Sequence, residues 1–304
     1  MNSDAFSAEH LRQAARSRGL QHLTWPAAAA AARHPGSTVV LPFGSCEQHG
    51  PHLPLCTDAL FAERLLADVL TALPADAPIW TLPTEQLGFS PEHLGFPGTV
   101  SLAAEVLMAR LEAIVRSLAE AGFSRLVLFN AHGGQIALLE AAARQCRQRH
   151  PGLLLLPWFL WSLEGVMELI PQPERSDGLH AGLVETSLML HLAPDLVISE
   201  EIPAAPDGQL QPPAGHSLEG TRPAVWLAHE LSRSGMVGDA RGASAELGAA
   251  LHSRLVAGWC RHFRSLLDSS WPAMPATTRP PGPTARPAVA REEDSCTSLP
   301  DRNR

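Results

Sequence analysis

Acids and imidazoles crowd into one short stretch of this chain, Gly44-Ser45-Cys46-Glu47-Gln48-His49-Gly50-Pro51-His52-Leu53-Pro54-Leu55-Cys56-Thr57-Asp58. Side chains alternate along an extended backbone, so Glu47 and His49 project to the same side. Asp58 opens the amphipathic run that follows, where its charge suits the positive end of a helix dipole and its side chain can reach back over the loop. Two carboxylates and an imidazole form an oxygen and nitrogen donor set that takes Zn, Mn or Fe. Singly, each is more often a capping acid or a hydrogen-bonded surface His. Held together between Gly44, Gly50, Pro51 and Pro54 they are harder to place that way, and the metal and structural readings stand side by side.

Two further segments carry chemistry. Asn130-Ala131-His132-Gly133-Gly134-Gln135 follows the apolar run Arg125 to Phe129 and puts His132 at a strand end. The paired glycines let backbone approach a ligand, and the N–H groups of Gly133 and Gly134 suit an oxyanion. A tight turn with a hydrogen-bonded His is the plain alternative, and no G-x-G-x-x-G dinucleotide fingerprint is present. In Asp177-Gly178-Leu179-His180-Ala181-Gly182-Leu183-Val184-Glu185 and beyond, a helix places Glu185 on the apolar face of Ala181, Leu188, Met189 and Leu192. A bare carboxylate there costs several kcal/mol unless a cation or hydrogen bonds compensate it, so Glu185 calls for a cation. His180 lies about 140° round an ideal helix from Glu185 and is placed before the helix, facing a reacting group. Ser90, Glu92 and His93 sit in the turn-rich run Ser90 to Thr99 and either shape the pocket or are solvated. Trp158 and Trp161 wall a substrate or join the core.

Elements must bring these segments together. Thr38 to Pro42, Ile79 to Pro83, Arg125 to Phe129 and Leu153 to Phe159 read as strands. Between and after them, 58–73, 101–121, 135–149 and 244–267 read as helices, with Leu107, Leu111, Ile114, Val115 and Leu118 at spacings of three and four. Alternation of this kind predicts an α/β fold with helices on both faces of a mainly parallel sheet, where ligands gather at the carboxyl ends of the strands. Glu200 to Pro223 has no periodicity and reads as a surface excursion. The expected organisation is a helical N-terminal arm over 1–35, a folded domain over 36–270, and a disordered tail over 271–304, too rich in Pro, Thr, Ala and charge to bury a core.

Composition narrows the partners. Of 304 residues, 45% are hydrophobic, which argues against a disordered polymer. The net charge is -8 and every cation is Arg, so no basic face invites nucleic acid. Cys46, Cys56, Cys146, Cys260 and Cys296 form no C-x-x-C pair and read as reduced thiols of a cytoplasmic protein. The N-terminus lacks the apolar core of a secretion signal, and no apolar stretch reaches the ~20 residues of a membrane span.

The run Leu41-Pro42-Phe43-Gly44-Ser45-Cys46-Glu47-Gln48-His49-Gly50-Pro51-His52-Leu53-Pro54 with Asp58, Phe96-Pro97-Gly98-Thr99, Asn130 to Gln135, and His180-Ala181-Gly182 with Glu185-Thr186-Ser187 resemble the creatininase family of metal-dependent amidohydrolases. Gly238-Asp239 and Gly242-Ala243 resemble its closing motif, and the resemblance spans about 36–268. It implies a three-layer α/β/α fold, a homo-hexamer, and two divalent metal ions per chain, Zn, Mn or Fe. Position by position, Glu47, Asp58 and His132 would hold one ion; His49, Asp58 and a further carboxylate would hold the other, with Asp58 bridging. In creatininase proper that carboxylate follows the strand-end His by two positions, where this chain has Gly134. The departure resembles members with a Gly-Gly turn, among them formamide hydrolases and the peptidase that trims the mycofactocin precursor peptide. There the missing ligand would fall to Glu185. The implied activity is hydrolysis of a non-peptide amide C–N bond in a small molecule, with His180 as proton shuttle. The alternatives are a peptidase trimming a small peptide and a metal-bound scaffold without catalysis.

Overall fold

The computed structural model describes residues 18–208, 216–219 and 222–272. Four strands, β1 (Thr38–Phe43), β2 (Ile79–Thr81), β3 (Arg125–Asn130) and β4 (Leu154–Phe159), form an all-parallel sheet in the order β2-β1-β3-β4. Val40 lies beside Val127, and Phe129 beside Trp158. β1 and β3 are buried along their whole length, as strands covered on both faces must be.

The period of two along each strand feeds two cores. Val40, Val127, Phe129, Leu154 and Leu156 point to one side, where α2 (Thr57–Thr71), α5 (Leu183–Leu192) and α6 (Ala245–Asp268) pack. Val39, Leu41, Phe43, Leu126, Leu128 and Leu155 point to the other, under α1 (Trp25–Ala32), α3 (Ala104–Ala121) and α4 (Ile136–Arg149). The three-layer α/β/α expectation is met. Leu107, Leu111, Val115 and Leu118 form the buried stripe of α3, and Gly122 ends that helix in the left-handed conformation, φ +94°. At the start of α6, Ser244 Oγ accepts from Leu247 N at 3.2 Å. Phe129 meets Trp259 edge-on with ring centroids 5.1 Å apart, and burying such a ring contributes roughly 1.5–3 kcal/mol.

Strand order also locates the site. β2 lies on one side of β1 and β3 on the other, so the chain reverses its progress across the sheet between β1 and β3. Open parallel sheets bind ligands at that switch point, beyond the carboxyl ends of the strands. The loops leaving β1 and β3 carry Glu47, His49 and His132.

Of the N-terminal arm, residues from Arg18 onward are described. Arg18 donates to the carbonyls of Ala77 at 2.6 Å and Pro74 at 2.5 Å, tying that segment beside β2. The first seventeen residues of the arm, and the tail from 273, lie outside the described residues. No helix among the described residues is long and apolar enough to cross a membrane. Cys46, Cys56, Cys146 and Cys260 are all free thiols.

Candidate metal centre

Beyond β1 the chain folds back on itself. Val100 N donates to Cys46 O at 2.8 Å and Glu47 N to Leu55 O at 3.0 Å, which holds Glu47 and His49 on the inner side of the loop. Asp58 sits in the first turn of α2, buried, with Ser45 Oγ donating to its Oδ2 at 2.6 Å. His132 follows β3 directly. Asn130 clamps its backbone from both ends: Oδ1 accepts from His132 N at 3.0 Å, and Nδ2 donates to His132 O at 2.7 Å.

These side chains converge. His132 Nδ1 is 3.2 Å from Glu47 Oε1 and 3.2 Å from Asp58 Oδ2. His49 Nε2 is 3.5 Å from Asp58 Oδ1 and 4.0 Å from Glu47 Oε1. Donor atoms of Glu47, Asp58 and His132 lie within 4.8 Å of one another, and so do those of His49, Asp58 and Glu185. Asp58 is common to both groups, the same division that the family resemblance implies. A third group joins Glu47, His49 and His180. Two buried atoms of the cluster, Glu47 Oε2 and His49 Nε2, have no hydrogen-bond partner among the described residues. Leaving each unpaired costs roughly 1–3 kcal/mol, and a divalent ion accepted by these donors would satisfy both.

Charges within the cluster sort its members. Burial opposes charge on His49, but Asp58, with Glu185 and Glu47, outweighs it and pushes the pKa up to about 9. Burial likewise opposes charge on His132, yet Glu47 and Asp58 hold it well above the usual range. Asp58 is held well below its usual value against burial by His49 and His132. Burial pushes Glu185 up to about 7, only partly offset by His49. For His180, burial and the neighbouring His49 and His93 hold the pKa well down, so its imidazole is neutral. Its Nε2 must donate to Gln48 O, 2.6 Å away, which leaves Nδ1 unprotonated, 3.9 Å from Glu47 Oε1. As the sequence predicts, His180 precedes its helix. Between it and α5, Ala181 adopts a left-handed backbone at φ +54°, with its N–H donated to Glu185 Oε2 at 2.6 Å.

The turn-rich loop joins the site. His93 stacks on His180 at 4.2 Å between centroids, and its Nε2 is 3.5 Å from Glu47 Oε1. Gln48 fixes that ring by donating from Nε2 to His93 Nδ1 at 2.8 Å and to Gly235 O at 3.0 Å. Glu92 Oε1 stands 3.5 Å from His132 Nε2, and Gly133 and Gly134 form the turn directly after His132. Trp158 is elsewhere. It continues the inward run Leu154, Leu156 and stacks on Trp259 at 5.4 Å, so it belongs to the core. Trp161 instead lines a cavity of about 220 Å³ beside His180 and Glu185, with Phe159, Met167, Val184 and Glu219.

Sequence reasoning missed Glu174 and Glu219. Glu174 is a buried clamp whose Oε1 accepts from Leu183 N and Oε2 from Asp239 N, both at 2.8 Å, which fixes the start of α5. Neither acid has a periodic neighbourhood; Glu219 lies in the stretch read as a surface excursion, yet it lines the cavity. Trp226, just past that stretch, meets His93 edge-on at 6.1 Å, so Glu219 and Trp226 both help to wall the site.

The family model for creatinine amidohydrolase, Creatininase, matches residues 21–263. The chain belongs to the creatininase family. It is 35% identical over 227 residues to the mycofactocin precursor peptide peptidase of Mycolicibacterium smegmatis, across 72% of this chain and 81% of that one. It is 30% identical over 205 residues to the creatinine amidohydrolase of Pseudomonas putida, across 62% of this chain and 77% of that one. A solved structure of creatininase described as its Mn form matches with a TM-score of 0.65 at 26% identity, across 82% of this chain and 98% of that one. This creatininase-family hydrolase therefore carries the family's fold with candidate metal-binding residues at the switch point of its sheet.

Proposed function

We propose that this hydrolase cleaves an amide C–N bond at two divalent cations, and that the amide is a peptide bond near the end of a small peptide. The observation that carries the cation pair is the sharing of Asp58 between two groups of donor atoms, Glu47 and His132 on one side, His49 and Glu185 on the other. Such a pair, when bound, lowers the pKa of a water toward neutrality and polarises the scissile carbonyl. Manganese suits these nitrogen and oxygen donors, as do zinc and iron.

The chain's own groups do the rest. Glu47, His49, Asp58 and His132 are buried, which keeps bulk water from the charges they hold. His180 accepts a proton at Nδ1 and passes it to the departing nitrogen, its Nε2–H being anchored on Gln48 O. The backbone N–H groups of Gly133 and Gly134, in the turn after His132, would donate to the carbonyl oxygen.

Sequence alone put a non-peptide amide first. Two findings favour the peptide: Phe159, Trp161, Met167 and Val184 give the cavity beside His180 and Glu185 an apolar wall that would suit a side chain, and the relatives include a precursor-peptide peptidase. Elemental analysis of protein purified without chelator, followed by assays on short peptides, formamides and creatinine, tests the reading. About two ions per chain with peptide cleavage is the expected result. Metal-free protein that is not activated by added Mn²⁺ or Zn²⁺ would overturn the cation pair, and turnover confined to formamides or creatinine would overturn the peptide.

A further inference from the structure

The two nitrogens of His132 face different surroundings. Nδ1 lies among Glu47 and Asp58, 3.2 Å from each. Nε2 points the other way, 3.1 Å from Phe89 O and 3.5 Å from Glu92 Oε1. Both outer neighbours only accept, since a backbone carbonyl has no proton and an ionised carboxylate has none. Nε2 therefore carries a proton in either state of the ring, and a cation bound beside Glu47 and Asp58 would take the place of the second proton at Nδ1. Phe89 O, the nearer acceptor, sets the direction of that N–H. Glu92 adds a negative charge, held in place with its side chain only 15% exposed.

The space Glu92 occupies is reserved for it by the backbone. A Cβ on Gly134 would run into the Glu92 carboxylate and come within 2.7 Å of His132 Nε2. The carboxylate beside His132 thus arrives from the short turn Pro91–His93, and Gly134 is the residue that lets it in.

We propose that Glu92 is a positioning residue for the cation site: its charge at Nε2 raises the donor strength of His132 at Nδ1, and Gly134 is required because any side chain there displaces it. Carboxylates behind a metal-bound imidazole act in this way, and removing them typically weakens metal binding about 10- to 100-fold. The inference rests on the cation reading of the Glu47, Asp58 and His132 group.

The test is a competition titration of Mn²⁺ or Zn²⁺ against a chelating dye for wild type, Glu92→Gln, Glu92→Ala, Gly134→Ala and the double variant Glu92→Ala/Gly134→Ala. Melting of each metal-free protein is followed in parallel. Glu92→Gln keeps the shape and loses the charge, so its metal-free melting should match wild type while its affinity drops about tenfold or more. Gly134→Ala should also bind more weakly, and the double variant should lose less than the product of the two single losses, because removing Glu92 relieves the clash with its carboxylate and leaves only that with His132 Nε2. Glu92 variants that bind metal as wild type does, or a double variant in which both losses multiply in full, would overturn the proposal. Wild type that binds no metal would instead overturn the cation site itself.

Discussion

Asp58 turns Oδ2 to within 3.2 Å of His132 Nδ1. Its other oxygen, Oδ1, is 3.5 Å from His49 Nε2, so one carboxylate serves two imidazoles from opposite sides. Asp58→Asn keeps the shape and removes the charge. The expected outcome is loss of bound metal together with a fall in turnover of roughly a thousandfold or more, with far-ultraviolet circular dichroism unchanged. Elemental analysis beside the assay checks it; two ions and normal turnover in the variant would refute the shared role.

Trp161 lies on the cavity wall and meets Phe61 edge-on at 5.7 Å. Trp161→Ala should raise KM for a peptide with an apolar end about tenfold, with kcat and metal content nearly kept, as loss of binding common to ground and transition states requires. A fall in kcat at constant KM would place Trp161 at the chemistry instead.

Protonation of His49 makes stability depend on pH in protein stripped with a chelator. Burial opposes its charge, but Asp58, Glu185 and Glu47 outweigh that and raise its pKa from 6.5 to about 9. Between those values the folded chain binds the proton more fully than the unfolded chain, so stability falls as pH rises. The contribution is complete below about pH 6.5 and lost as pH climbs through about 9, at about 1.4 kcal/mol per unit. Urea midpoints should descend across that window, and His49→Gln should flatten the slope. Midpoints that rise with pH would contradict the assignment.

Glu174 holds two backbone N–H groups, those of Leu183 and Asp239, each at 2.8 Å. Glu174→Ala leaves both without their acceptor and should cost roughly 2–5 kcal/mol, whereas Glu174→Gln keeps an acceptor and should cost less. Metal binding should weaken as well, because α5 carries Glu185 and Val237 pairs with His180. Urea denaturation measures the first effect, and a difference under about 0.5 kcal/mol would mean that other contacts hold this corner.

Much of this was legible because the signals were local. Strands such as Arg125 to Phe129 announce themselves by an unbroken apolar run, and Glu47, His49, Asp58 and His132 flank strand ends where side chains must meet. Glu185 was legible from its conflict with an apolar helix face. The roles of Trp158 and Trp161 were not, since both pack against the core shared with α6 and Trp161, in the turn after β4, also lines the cavity. Glu174 and Glu219 were hidden for a related reason: each works through contacts distant in sequence, from segments rich in proline and glycine that show no period.

The two cores of the sheet bear unequally on catalysis. Asp58 and Glu185 are mounted on α2 and α5, which share one core with α6. The opposite core, with Leu107, Leu111, Val115 and Leu139 under α3 and α4, contributes none of the five predicted donors. The sheet acts as a bulkhead. Wear on the far side would shorten the enzyme's working life without altering what each intact molecule does, and an engineer seeking a hardier catalyst could refit that half first.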